Sequence, residues 1–149
     1  MDVLIVSRSE RARAWVRRAL DPSLQVDEAS NGLEAVGRAR ESEYDLVIAD
    51  ETTEPFGAFG LARELKILPE PPAVVILLER RVDVWLAKWS GADAWLSQPI
   101  DPFELLKTAN ELLAEREARG PSDAGLGRDD IAVEETEEAQ TAGVERYPR

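Results

Sequence analysis

Five residues lie where short apolar runs of the chain end: Ser7, Arg8, Asp50, Leu78 and Gln98. If these residues share a pocket, their side chains determine its chemistry. Asp50 is the one carboxylate of this set, and Arg8 is the one cation. A guanidinium and a carboxylate within reach of each other can form an ion pair with two hydrogen bonds. Chemistry at these positions therefore depends on Asp50.

The composition removes most other kinds of catalytic site. The 149-residue chain has no cysteine and no histidine, which excludes disulfides, thiolate nucleophiles, zinc sites of the usual ligand types and every Ser-His or Cys-His pair. Its 18 Lys and Arg stand against 30 Asp and Glu, a net charge of −12. This charge argues against nucleic-acid binding, because that role needs cations to replace phosphate counterions.

The elements that must position the five residues alternate between short apolar runs and segments of helical period. The runs predict strands at 3–6, 24–29, 45–49, 73–78 and 94–96. The periodic segments predict a helix between Ser9 and Asp21, and further helices at 33–40, 61–68, 82–90 and 102–117. This alternation is typical of an α/β fold with a doubly wound parallel sheet. The functional crevice of such a sheet lies beyond the carboxyl ends of its strands, so we expect the five positions to converge there.

The last thirty residues differ from the rest of the chain. Residues 120–149 carry eight acids against three Arg and have few large apolar side chains. Such a segment cannot bury enough surface to offset the entropy of ordering it. We therefore expect one domain at 1–119 and an acidic, disordered tail at 120–149.

The sequence shows neither a membrane span nor a signal peptide. No apolar run approaches the roughly 20 residues that cross a bilayer, and the N-terminus lacks a basic region followed by an apolar stretch. We expect a cytoplasmic protein without membrane insertion, and peripheral attachment to a membrane complex stays open.

Four segments, taken in order and at the right spacing, resemble the receiver domain of response regulators, the CheY-like family. They are 3–6, 28–35, 44–50 and 91–101, and the resemblance extends over residues 2 to about 117. It implies a flavodoxin-like sheet of five parallel strands in the order 2-1-3-4-5 with five helices. It also implies phosphorylation at Asp50, with Mg²⁺ held by an acidic pair after the first strand, a hydroxyl at the end of the fourth strand and a Lys before a Pro.

This chain departs from the family's pattern at every one of those supporting positions. Ser7 and Arg8 replace the acidic pair, Leu78 replaces the hydroxyl, and Gln98 replaces the lysine. Asp50 alone is kept. Because Arg8 repels a metal ion and Gln98 is neutral, we expect no metal, no cofactor and no enzymatic activity.

Two of these residues have a second interpretation. Arg8 either pairs with Asp50 near the place of the metal or stays exposed on a basic first helix with Arg11, Arg13, Arg17 and Arg18. Asp50 is either a retained phosphoryl acceptor position or a loop carboxylate that caps turn amides.

Aromatic residues suggest where a partner protein binds. Phe56 and Phe59, in the loop after Asp50, either form a hook for a partner or fold back over the third helix. Trp85 and Trp89 fit the apolar stripe of the fourth helix, which favours core packing first. Trp95 takes the place of the family's aromatic switch residue on the helix 4–strand 5–helix 5 face, so these three tryptophans are our candidate interface.

Three functions compete. The preferred one is a pseudo-receiver, a degenerate stand-alone receiver that binds proteins without being phosphorylated, as an interaction module or an accessory subunit of a large assembly such as a respiratory complex. Its partner binds the helix 4–strand 5–helix 5 face, the acidic tail or both. The alternative is a phosphorylatable single-domain response regulator that uses Asp50 in a two-component phosphorelay. A small flavodoxin-like enzyme or nucleotide binder is poorly supported, because no glycine-rich loop follows the first strand.

Overall fold

The computed structural model of the protein describes residues 1–80 and 84–120. Five parallel strands form one sheet in the order β2-β1-β3-β4-β5. The strands are β1 (Asp2–Val6), β2 (Gln25–Ala29), β3 (Leu46–Asp50), β4 (Ala73–Leu78) and β5 (Ala94–Ser97). The helices are α1 (Glu10–Ala19), α2 (Gly32–Glu41), α3 (Gly57–Lys66), α4 (Val84–Ser90) and α5 (Pro102–Arg119). The predicted fold class and strand order are confirmed.

Side-chain caps fix where three helices begin. Ser9 accepts a hydrogen bond from the Ala12 amide at the start of α1, at 3.1 Å. Asn31 and Asp101 do the same for α2 and α5, at 2.8 Å each. Each cap satisfies one of the amides that lack a partner in the first turn of a helix.

The two faces of the sheet bury separate apolar clusters. Strand residues alternate between them, so Val47 and Ile76 face the side of α2, α3 and α4, whereas Ile48 and Leu77 face the side of α1 and α5. The central strand β1 is buried from Val3 to Val6, as expected for a strand covered on both sides.

Helix α3 begins earlier than the sequence pattern predicts. It starts at Gly57, not Leu61, because Ala58 adds a fully buried contact on the sheet side. Phe56 folds back over Gly32 and Gly60, where an added Cβ would lie 2.5 and 2.7 Å from its side chain. Phe56 is thus packed against α2 and α3, as the second interpretation of this loop has it. The residue is still 37% exposed, so a role of Phe56 as a hook for a partner stays a prediction.

We predict that Gly32→Ala destabilises the protein by about 1–3 kcal/mol, because the new methyl group displaces Phe56. Gly37→Ala is the matched control in the same helix. A Cβ added at Gly37 would have no atom within 4 Å, so alanine there should stabilise by about 0.5–1 kcal/mol. Urea denaturation of both variants measures the difference. Equal effects of the two substitutions would contradict the packing role of Phe56.

Two sequence predictions fall outside the described residues. These are the acidic tail beyond Gly120 and the first two residues of the predicted fourth helix. Within the part that is described, no helix is both long enough and apolar enough to cross a membrane.

Candidate functional site

Asp50 ends β3 and is held by the two threonines that follow it. Its Oδ1 accepts hydrogen bonds from the Thr52 amide at 3.1 Å and the Thr52 hydroxyl at 2.7 Å. Its carbonyl accepts from the Thr53 amide at 3.1 Å and the Thr53 hydroxyl at 2.8 Å. The carboxylate therefore caps its own turn, which is the second of the two interpretations made from the sequence.

Ser7 lies at the end of β1 and is almost fully buried. Its hydroxyl oxygen accepts from the Ser9 amide at 3.1 Å, and its carbonyl accepts from the Arg13 guanidinium. A short polar side chain here supports the turn into α1.

Arg8 does not pair with Asp50. Its guanidinium lies 3.7 Å from the carboxylate of Glu54, and both side chains are largely exposed. Of the two interpretations of Arg8, the ion pair with Asp50 is therefore wrong, because the side chain leaves the sheet edge toward the loop after β3. Arg8 is an exposed cation, as the other interpretation has it, but it precedes α1. An exposed pair of this kind contributes little to stability.

Leu78, the last residue of β4, and Gln98, which follows β5, do not face the same side of the sheet edge. Leu78 is fully buried in the cluster on the α2, α3 and α4 side, so it does not line the pocket with Asp50. The adjacent Leu77 pairs in register with Asp50 and lines the pocket instead. The backbone amide of Gln98 donates a hydrogen bond to the Leu78 carbonyl at 2.9 Å. Gln98 lines the pocket and is exposed, so it lies at the pocket rim.

The pocket is a cavity of about 480 Å³ at the carboxyl ends of β1, β3 and β4. It contains three of the five predicted residues, Ser7, Asp50 and Gln98, and leaves out Arg8 and Leu78. Its apolar wall, to which Trp15 and Ile100 contribute, was not predicted from the sequence. Trp15, on α1, is half-buried against the apolar cluster on the α1 and α5 side of the sheet.

A cluster of charges joins α1 to β2 beside the pocket. The Arg13 Nε lies 2.8 Å from Glu28, and the Arg17 Nη2 lies 2.7 Å from the same carboxylate. Hydrogen bonds from Arg17 first, and then from Arg13, lower the pKa of Glu28 below its usual value of 4.5. The carboxylate is thus stabilised in its charged form.

Because the folded-state pKa of Glu28 is lowered, its contribution to stability is present above pH 4.5. It is lost as the pH falls through the folded-state pKa, since protonation then costs more in the folded state. Glu28→Gln should therefore destabilise by about 1 kcal/mol near neutral pH, a modest value because Arg17 is half exposed. In acid the difference from wild type should shrink, and urea titrations at both pH values measure it. A difference that stays constant with pH would contradict this contribution.

The tryptophans of the candidate interface divide into two groups. Trp85 and Trp89 are 65% and 58% exposed on α4, whereas Trp95 is 3% exposed in the core. The prediction that Trp95 belongs to the surface is wrong, because its position on β5 faces the buried side of α4. Core packing of Trp85 and Trp89 is wrong too, since α4 buries Ala87 and Ser90 instead. The Arg63 guanidinium stacks on the Trp89 ring, 4.1 Å from its centroid.

Curated relatives of the chain include response regulators. An uncharacterised response regulatory protein of Mycobacterium tuberculosis is 34% identical over 119 residues, which cover 74% of this chain and 90% of that protein. Protein PilH of Pseudomonas aeruginosa is 34% identical over 95 residues, covering 60% of this chain and 78% of its own. A scan of protein-family models found no match.

Solved structures agree with the relatives. The chemotaxis response regulator CheY4 of Vibrio cholerae is 26% identical, with a TM-score of 0.68 over 74% of this chain and 97% of that one. A response regulator receiver domain from Clostridium thermocellum shares the fold, with a TM-score of 0.72, 22% identity, and coverage of 80% of this chain and 98% of that one. Fold, sequence similarity and the position of Asp50 at the end of β3 lead to one conclusion: the chain belongs to the response regulators and contains a CheY-like receiver domain.

Proposed function

We propose that this response regulator works without phosphorylation and acts by binding another protein. The observation that carries the proposal is the surroundings of Asp50. One carboxylate oxygen is held by Thr52, and the other predicted residues that reach the cavity, Ser7 and Gln98, are neutral. A transferring phosphoryl group needs metal and cationic partners for its oxygens, and losing one such group typically slows a reaction about 10²- to 10³-fold.

The residues around Asp50 do not fit the magnesium ion that the family implies. Mg²⁺ binds hard oxygen ligands in octahedral geometry and is commonly held by carboxylates. The cavity offers Asp50 as its one carboxylate, and its other polar side chains from the predicted set, Ser7 and Gln98, are neutral. Over residues 1–80 and 84–120, no group of three or more His, Cys, Asp or Glu is placed to hold a metal. We infer a receiver that uses no magnesium and catalyses no reaction.

Binding of beryllofluoride, a phosphoryl mimic, tests this function. Magnesium is titrated with and without beryllofluoride while tryptophan emission is followed, in wild type and in Asp50→Asn. We expect no saturable change at low millimolar metal in either protein. A saturable response that requires Asp50 would establish the other candidate function, a phosphorylatable response regulator. One observation favours that candidate: within the described part of the chain, no hydrogen bond reaches Asp50 Oδ2.

The surface that we assign to the partner is centred on α4. Trp85 and Trp89 expose large aromatic area there, and Phe103 at the start of α5 is 79% exposed. Tryptophan is enriched among residues that dominate binding energy, because it buries a large rigid area on contact. With Trp95 in the core, the proposed interface is reduced to the two tryptophans of α4.

Polar substitutions test this surface. Trp85→Gln with Trp89→Gln should lower recovery of the native partner by tenfold or more, since hot-spot losses are on the order of 2 kcal/mol. Leu33→Gln is the matched control, because Leu33 is also 65% exposed but lies on α2. Unchanged recovery with the double variant would move the interface elsewhere. The acidic tail, attachment to a large or respiratory complex, and a cytoplasmic location stay predictions.

A further inference from the structure

The cavity beside Asp50 extends beyond the positions expected from the receiver pattern. It runs from the sheet edge along α1 to the segment after β5 and has a volume of about 480 Å³. Pockets that hold small organic molecules typically measure about 300–1,000 Å³. The space is therefore large enough for an organic ligand and not only for an ion.

The wall of the cavity is mainly apolar. Ile5, Ile48 and Leu77 contribute from three neighbouring strands, and Trp15 and Ile100 contribute from α1 and the segment after β5. Ala12 also lines the cavity, and its small side chain leaves this space open. Such a wall favours a ligand with an apolar, ring-containing body.

Two charged residues line the cavity, and the less exposed of the two is the anionic one, Asp50. Asp50 is half-buried, and its Oδ1 is taken by Thr52, whereas no donor from a described residue reaches Oδ2. A partly buried carboxylate oxygen gains from a charged donor. Arg11 also lines the cavity but is exposed, so water and salt screen its charge. The chain's net charge of −12 likewise favours a cationic ligand.

We propose that this cavity binds an amphipathic amine, with its ammonium group on Asp50 Oδ2 and its apolar body against Trp15 and Ile100. Gln98 at the rim offers an amide oxygen to a second hydrogen of the ammonium group. The proposal goes beyond the proposed function and does not depend on it, because it requires only the cavity and the open carboxylate oxygen.

Three probes with the same body and different heads test the proposal by isothermal titration calorimetry: naphthylmethylamine, naphthylmethanol and naphthoate. We expect the amine to bind wild type about tenfold more tightly than the alcohol, which is what one charged hydrogen bond contributes. We expect the carboxylate to bind more weakly than both. In Asp50→Asn, the amine should lose this advantage while the alcohol binds as before.

Substitutions on α1 distinguish binding in the cavity from binding elsewhere on the surface. Ala12→Leu fills the cavity and should abolish binding of the amine, whereas Ala14→Leu, on the same helix but outside the lining, should leave it unchanged. Circular dichroism and thermal unfolding establish that both variants are folded. The proposal is overturned if the carboxylate binds most tightly, if the three probes bind equally, or if the folded Ala12→Leu variant still binds the amine.

Discussion

Ser7→Asp, Arg8→Asp and Gln98→Lys together should give Asp50 a magnesium-dependent phosphorylation that, under the proposed function, we expect the wild type to lack. Two carboxylates after β1 would supply the metal ligands that the family pattern has there. A lysine before Pro99 would supply the missing cation. Since each such group is typically worth about 10²- to 10³-fold in rate, labelling should rise at least 100-fold over wild type.

Two of the three substitutions in the restored variant lie at exposed positions, whereas Ser7 is almost fully buried. Ser7→Asp therefore costs some stability, and circular dichroism must show that the triple variant is folded. Gln98 is exposed, and the Arg8–Glu54 ion pair is exposed as well, so changing them alters stability little. Leu78 is left unchanged, because its side chain is fully buried and faces away from the pocket that holds Asp50. A hydroxyl there would leave space unfilled and would not face the phosphoryl group.

Intact-mass measurement after incubation with acetyl phosphate reads out the phosphorylation, since one phosphoryl group adds about 80 daltons. The same triple variant with Asp50→Asn controls for labelling at other sites. If wild type gained this mass as fast as the triple variant, the proposed phosphorylation-independent function would be wrong.

Trp95→Ala should destabilise the protein by about 3–5 kcal/mol, the usual cost of truncating a buried tryptophan. Trp95 is 3% exposed and packs in the same cluster as Leu78 and Ala87. Because small domains have a total stability of about 5–15 kcal/mol, this change removes a large part of it. Urea denaturation followed by far-ultraviolet circular dichroism measures the loss.

Trp85→Ala is the control for that experiment, because Trp85 is 65% exposed. It should change the free energy of unfolding by about 0.5 kcal/mol or less. Trp95→Phe should cost less than Trp95→Ala, since it keeps a ring and removes a buried Nε1 without a hydrogen-bond partner among the described residues. Similar losses for Trp85→Ala and Trp95→Ala would contradict the division of the tryptophans into surface and core.

The strands could be predicted because buried parallel strands leave a strong pattern, whereas their order in the sheet followed from the resemblance to receiver domains. Runs such as 3–6 and 73–78 are continuously apolar, and helical periods separate them. The start of α3 could not be predicted in this way. Gly57, Gly60 and Pro55 are typical of a loop, whereas the helix is stabilised by tertiary packing of Ala58 and Phe56, which sequence periodicity does not reveal.

The site was predictable only in part, for the same kind of reason. The sequence places Ser7, Asp50 and Gln98 just after predicted strands, and all three line the pocket. This could be predicted because the topology of a parallel sheet brings the carboxyl ends of its strands together. Leu78 could not be placed because a continuously apolar strand does not show which of its residues face which side of the sheet. The contact of Arg8 with Glu54 could not be predicted because it depends on the path of a long exposed side chain. For the fourth helix, the predicted segment 82–90 is too short for its apolar period to indicate which face is buried.

The charges on β2 limit how this protein can associate with others. β2 is an edge strand of the sheet. The Tyr44 hydroxyl donates to the Asp27 carboxylate, and Arg13 and Arg17 donate to the Glu28 carboxylate. Arg17 also donates to the Val26 carbonyl at 3.3 Å. Charged side chains on an edge strand hinder the addition of a strand from another chain and so oppose aggregation. Growth of an intermolecular sheet from the β2 edge is therefore disfavoured.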